Sequence, residues 1–226
     1  MIKYRVLLIF YLSGILQTTI GQTTINIEFS SVFGEKKIIY DSCYYSKYIG
    51  DCIIITKLKY YISDLSFIKN DKIVYKSEKI RKLIDLEKNI INVKLEKETD
   101  FDEILFQIGI DSITNVSGAM DGDLDPINGM YWTWQSGYIN FKLEGKSKIF
   151  NTPNNEFFFH IGGYQFPYNA SKIIKLKVMD DKHIKVLVDI EKLLQYPEIL
   201  KVPQIMSPGK QAILFTTKLS EIFSIE

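Results

Sequence analysis

The chain has 226 residues, 46% hydrophobic and 24% charged, with 28 basic side chains against 27 acidic ones. This profile excludes a disordered polymer, which is poor in apolar residues, and a disulfide mini-scaffold, which is dense in cysteine. A net charge near zero argues against a dedicated nucleic-acid binder, and the length suits one all-β domain.

The first 21 residues, MIKYRVLLIFYLSGILQTTIG, place Lys3 and Arg5 ahead of an apolar core at 6–16, followed by small and polar residues. That is the layout of a secretory signal peptide, and its apolar run is too short for a membrane span of about 20 residues; the competing reading is a retained N-terminal anchor. Cleavage after Gly21 removes Lys3 and Arg5 and leaves a mature domain over 22–226, with no second apolar run long enough to span a bilayer. The expected localisation is therefore the periplasm or the cell exterior. Export puts Cys43 and Cys52, nine positions apart, in an oxidising compartment, where such a pair bridges a hairpin or loop. The competing use, a thiolate zinc site, lacks a nearby His or third Cys.

Strand patterns dominate the mature chain. TTINIEF at 23–29 alternates polar and apolar residues, as a half-buried strand does. IIIT at 53–56 runs into KLKYYISDLSF at 57–67, and strands are also expected at 72–75, 92–95, 103–110, 137–143, 156–161, 173–178 and 183–188. Fourteen Tyr and fourteen Phe add to the β signal. Helices are expected late. Asp189 can cap IEKLLQYP, with Pro197 as its stop, and Gly209 precedes KQAILFTTKLSEIF, where Ala212, Phe215, Leu219 and Phe223 recur at helical spacing, although the β-branched and aromatic content of ILFTT suits a strand equally well. The link at 196–209 holds three of the six prolines and is read as extended. The expected architecture is all-β, an antiparallel β-sandwich with short C-terminal helices.

The unusual segment is 115–138, NVSGAMDGDLDPINGMYWTWQSGY, a long Gly- and Asp-rich loop that ends in both tryptophans of the protein. Long loops of this kind are often functional. Asp121, Asp123 and Asp125 form the start of an EF-hand-like calcium loop, but Pro126 takes the sixth position, where Gly is required, and Trp132 the twelfth, where Glu is required. The calcium reading then competes with an Asp-rich turn whose carboxylates accept backbone N–H bonds. Trp132 and Trp134 point the same way if 131–135 is extended. Met130 offers a soft sulfur suited to Cu(I), and His160 closes the strand EFFFH; His183 is read as a solvated turn or edge residue. No Ser/His/Asp or Cys/His arrangement and no phosphate-cradling glycine loop is present, so no enzyme is expected.

Five stretches, ITKLKYYISDL at 55–65, FQIGIDS at 106–112, GDLDPINGMYWTWQSGYINFKLEG at 122–145, FHIGGY at 159–164 and IMSPG at 205–209, together resemble the MbnP-like proteins. The matches run in order through almost the whole mature chain, and the DLDP-x-NGM-x-W-x-W-x-SGY block is the specific one. The resemblance implies an exported, β-rich, copper-binding protein. In such relatives a tryptophan is oxidised to kynurenine, whose new amino group joins histidines around Cu(I), and in some systems a dihaem oxidase partner makes the modification. By motif, Trp132 is the residue for oxidation and His160 the imidazole ligand. This chain departs from the pattern in carrying Trp134 where copper-binding relatives have a His, and it ends LSEIFSIE without a His-containing tail. Met130, Met120, Asp123 or a terminal amine would have to complete a site. The alternative function is a β-sandwich binding or structural module without a metal.

Overall fold

The β signal organises the chain nearly from end to end. The computed structural model describes residues 23–179 and 182–226; the expected signal peptide lies outside them. In chain order the elements are β1 (Thr23–Phe33), β2 (Lys36–Lys37), β3 (Cys43–Tyr45), β4 (Cys52–Lys69), β5 (Lys72–Ile84), β6 (Ile90–Leu95), β7 (Glu103–Ile108), α1 (Ser112–Val116), β8 (Tyr131–Thr133), β9 (Gly137–Lys146), β10 (Glu156–Gly162), β11 (Lys172–Lys177), β12 (His183–Asp189), α2 (Pro197–Leu200), β13 (Gln204–Ile205), α3 (Lys210–Leu219) and β14 (Phe223–Ile225). None of the helices among the described residues is long and apolar enough to cross a membrane.

The strands form a five-stranded and a nine-stranded sheet. β1 is the spine of the smaller one. Its alternation puts Ile25, Ile27 and Phe29 inward, all essentially without solvent exposure. β12 lies along one side of β1, and β6 and β2 follow each other along the other. In the larger sheet the 18-residue β4 is the spine: its first half pairs with β3 and β9, its second half with β5 and β7. The sheets meet through aromatic side chains. Phe29 stands edge-on to Tyr60 at 6.4 Å and to Phe106 at 5.4 Å, and Phe223 packs against the same two rings. From α3, Phe215 covers Phe141 and Phe159 at 5.9 and 5.3 Å.

Cys43 and Cys52 form the expected disulfide, joining β3 to the start of β4 with the Cα atoms 5.6 Å apart. The all-β class with short helices holds, but the sheets are mixed rather than purely antiparallel: β1 pairs β12 in parallel, and β10 pairs β13 in parallel. Partners so far apart in sequence are joined by long crossovers, which leave the strand direction free where a hairpin would fix it. Asp189 caps as expected, its carboxylate accepting from the Glu191 N–H at 3.1 Å, but it opens a 3₁₀ segment, Ile190–Gln195. Pro197 begins α2 instead of only ending the element before it, because its fixed φ and missing N–H suit the first helical position. α3 stops at Leu219, so Phe223, expected on the helix, opens β14.

Candidate functional site

Alternation along β4 sends Tyr60 into the space between the sheets and Tyr61 to the outer face of the larger sheet. There Tyr61 joins Leu83, Ile110, Leu124, Met130, Tyr138 and Ile139 in a second apolar cluster, with Tyr131 and Trp132 packed on its margin. The loop at 111–136 folds over this face and is tied to it at both ends. At its start, the Asp111 carboxylate caps α1 through the Thr114 N–H at 2.8 Å and receives Nε and Nη2 of Arg81 at 3.0 and 2.9 Å. The Thr114 hydroxyl and the Arg81 charge hold the Asp111 carboxyl below its usual range although burial opposes this.

Asn115, 2% exposed, closes the loop. Its Nδ2 donates to the carbonyls of Ile110 and Asp111, both at 3.0 Å, and its Oδ1 accepts from the Tyr138 N–H at 2.8 Å. A Cβ on Gly137, which has φ +75°, would lie 2.1 Å from that Oδ1, so the end of the loop needs glycine. Further in, the Tyr61 hydroxyl donates to the Asp123 carbonyl at 2.9 Å, and the Tyr138 hydroxyl donates to the Leu124 carbonyl at 3.0 Å. Burial raises the pKa of both phenols, which keeps them as neutral donors.

The three aspartates are used separately. Asp123 pairs with Lys82 at 3.3 Å and Asp125 accepts from the Ile127 N–H at 2.9 Å, while Asp121 is exposed. Among the described residues no group of three or more His, Cys, Asp or Glu is placed to hold a metal ion. Trp132 and Trp134 do not share a face. β8 ends at Thr133, a register shift interrupts its pairing with β9, and Trp134 falls in the following turn. Trp134 is therefore 72% exposed, whereas Trp132 is half-buried and rests on β10: a Cβ on Gly162 would lie 2.8 Å from its ring. Met130 is fully buried in the apolar cluster.

His160 lies on β10, two positions before Gly162, and in register with Lys142 of β9 and, beyond it, Lys59 of β4. The His160 imidazole is nearly buried, with Nε2 at 2.8 Å from Glu144 Oε1. That bond, with the charges of Lys142 and Lys57, holds the Glu144 carboxyl below its usual range against the opposing effect of burial. The two lysines reach the loop: Lys59 Nζ donates to the Asn128 carbonyl at 3.3 Å and Lys142 Nζ to the Gly129 carbonyl at 2.5 Å. Burial lowers the pKa of Lys142, and the Glu144 charge opposes it. The outer face thus carries a polar row beneath the Trp132 segment, one end of which is an imidazole already oriented by a carboxylate. His183, given no role from the sequence, is exposed on β12 at the margin of the other sheet.

The sequence reading of this region missed Glu144, Lys142 and Asn115. A signal for the first two exists in GYINFKLEG, where Lys142 and Glu144 alternate with the core residues Phe141 and Leu143 and must face the same side. Asn115 gives no such signal, because its partners are backbone groups 5 and 23 residues away.

A family model described as MbnP matches residues 22–207. Among solved structures the fold is similar to that of MbnP from Methylosinus trichosporium, with a TM-score of 0.62 at 13% identity, over 77% of this chain and 78% of that one. A comparison with curated proteins finds no match.

Proposed function

The chain belongs to the MbnP family, and on that premise we propose that it is an exported protein that handles copper, holding Cu(I) on the outer face of the larger sheet through His160 and the oxidised ring of Trp132. The observation that carries the reading is that one strand serves both residues: His160 sits on β10, and the Trp132 ring is seated on Gly162 of that strand. The donor chemistry fits in part. Glu144 engages Nε2 of His160, the arrangement in which a carboxylate orients an imidazole and leaves Nδ1 for a metal. Oxidation of Trp132 to kynurenine, by a dihaem partner protein, would add an aniline nitrogen. Two neutral nitrogens suit Cu(I) at low coordination number. Met130, enclosed in the apolar cluster, and Trp134, pointing to solvent, stand outside this donor set.

The second reading is a binding or structural module without a metal. It is favoured by the pairing of the polar row within the protein: Lys59 and Lys142 with loop carbonyls, His160 with Glu144. Anaerobic Cu(I) titration against a competing chelator, with intact mass on protein from its native host, separates the two. Stoichiometric uptake that is lost in both Trp132→Phe and His160→Ala, with a mass change mapped to Trp132, supports copper handling. No uptake and two unmodified tryptophans leave the module reading.

A further inference from the structure

Beside the Trp132 segment, but apart from the His160 and Trp132 donors, three separate pieces of chain meet: 133–136, 162–171 and 205–209. Between them is a cleft of about 120 Å³ whose lining includes Gln135, Ser136, Tyr164, Phe166, Tyr168 and Pro208. The cleft is held at its base. Ala170 N–H donates to the Gly163 carbonyl at 2.9 Å, the Ser112 hydroxyl donates to the Tyr164 carbonyl at 2.9 Å, and the Tyr164 hydroxyl reaches the Trp134 carbonyl at 3.5 Å. Gly163 has φ +121°, and a Cβ there would lie 2.2 Å from the Tyr168 carbonyl and 3.0 Å from the Pro208 side chain. The walls therefore close only around a glycine.

The composition of this surface is unusual for the chain. Its three segments hold no Asp, Glu, Lys or Arg, in a protein that is 24% charged. Large apolar groups are nonetheless displayed: Phe166 is 97% exposed, Trp134 72%, Met206 51% and Tyr168 37%. Set among them are the carboxamides of Gln135 and Gln165 and the hydroxyl of Ser136. No charged side chain lines this cleft to form an ion pair with a phosphate, a sulfate or a carboxylate, so the ligand it fits without leaving a desolvated charge unpaired is a neutral one. It has to present apolar faces to aromatic rings and hydroxyls to carboxamides at the same time. It also has to be narrow, since drug-sized ligands occupy pockets of about 300–1,000 Å³. A pyranose ring has these properties: axial and ring C–H groups on its faces, hydroxyls around its rim, and no charge.

We propose that the cleft beside Trp134 is a binding site for a neutral glycan, with Phe166 and Tyr168 as stacking surfaces and Gln135 and Gln165 as hydrogen-bonding partners. A lipid surface would be met by a continuous apolar patch, and the carboxamide rim breaks this one. The site does not depend on the copper reading, since none of its lining residues belongs to the donor set.

The test is native electrophoresis of the protein in gels cast with laminarin, xyloglucan or galactomannan, with phosphatidylcholine vesicle flotation run in parallel. Retardation by at least one polysaccharide is expected. It should weaken about tenfold or more in Phe166→Ala and in Gln135→Ala, a tenfold change being about 1.4 kcal/mol. Ile113→Ala, which removes an 81% exposed apolar side chain elsewhere, should leave it unchanged. Because Phe166 is almost wholly in solvent, its loss leaves the fold intact, and unchanged thermal unfolding checks this. Absence of retardation by all three polysaccharides overturns the proposal, as does retardation that persists in Phe166→Ala. Flotation with vesicles that requires Phe166, without retardation, reassigns the surface to a membrane and also overturns it.

Discussion

Replacement of Asn115 by Ala tests how the loop that presents Trp132 is held. Asn115 is buried and makes three hydrogen bonds to backbone groups, at 2.8, 3.0 and 3.0 Å. The Asp111 carbonyl keeps a partner in Asn115→Ala, because it also accepts from the backbone N–H of residue 115 at 3.1 Å. The Tyr138 N–H and the Ile110 carbonyl do not, and both residues are 1% exposed. Each buried backbone group left without a partner costs about 1–3 kcal/mol, so the expected loss is about 2–6 kcal/mol. That is a large part of a typical total of about 5–15 kcal/mol. At about 2–4 °C per kcal/mol for a chain of this size, Tm should fall by about 4–24 °C. Urea unfolding followed by tryptophan fluorescence measures the loss directly. Asn115→Asp adds a signed control. The carboxylate still accepts from Tyr138 but faces two carbonyls where Nδ2 donated, so its folded pKa is raised and the variant should regain stability as pH falls through that value. A stability change within about 0.5 kcal/mol for Asn115→Ala, with an unchanged urea slope, would refute the claim that this side chain carries the loop.

Three further outcomes are expected. The Glu144 carboxyl is held below its ordinary 4.5 by His160 and neighbouring lysines, so it contributes stability present above about pH 4.5 and lost as pH falls through its lower folded value; Glu144→Gln should therefore narrow the gap to wild type between pH 5 and pH 3 in urea titrations. Gly162→Ala places a methyl 2.5 Å from the Tyr138 carbonyl and 2.8 Å from the Trp132 ring, so it should cost about 1–3 kcal/mol and shift Trp132 emission to the red as the ring leaves its seat. Removing the Cys43–Cys52 bridge with paired serines opens a loop with a separation of nine residues, which costs about 2–3 kcal/mol by the chain-entropy account and should appear as a lower urea midpoint.

What the sequence made legible was whatever depends on local period. β1 and β4 show it best: alternation separated Ile25, Ile27 and Phe29 from the less buried polar residues Thr24, Asn26 and Glu28, and it also sent Tyr60 and Tyr61 to opposite faces of one strand. The parallel pairing of β1 with β12 could not be read the same way, because nothing in either strand encodes the direction of a partner more than 150 residues away. The site divides along the same line. The tryptophans, Met130 and His160 stood out by residue type, but what each does depends on distant partners: a turn at Trp134 that ends the strand, Gly162 beneath Trp132, and Glu144 across a strand pair from His160. Asn115 makes the point most sharply. In sequence it opens Asn115-Val-Ser117, a glycosylation acceptor pattern, yet in the fold the residue is 2% exposed and its carboxamide is satisfied by three backbone groups. An acceptor has to reach solvent, so once the loop has closed this asparagine serves as its clasp and is closed to modification.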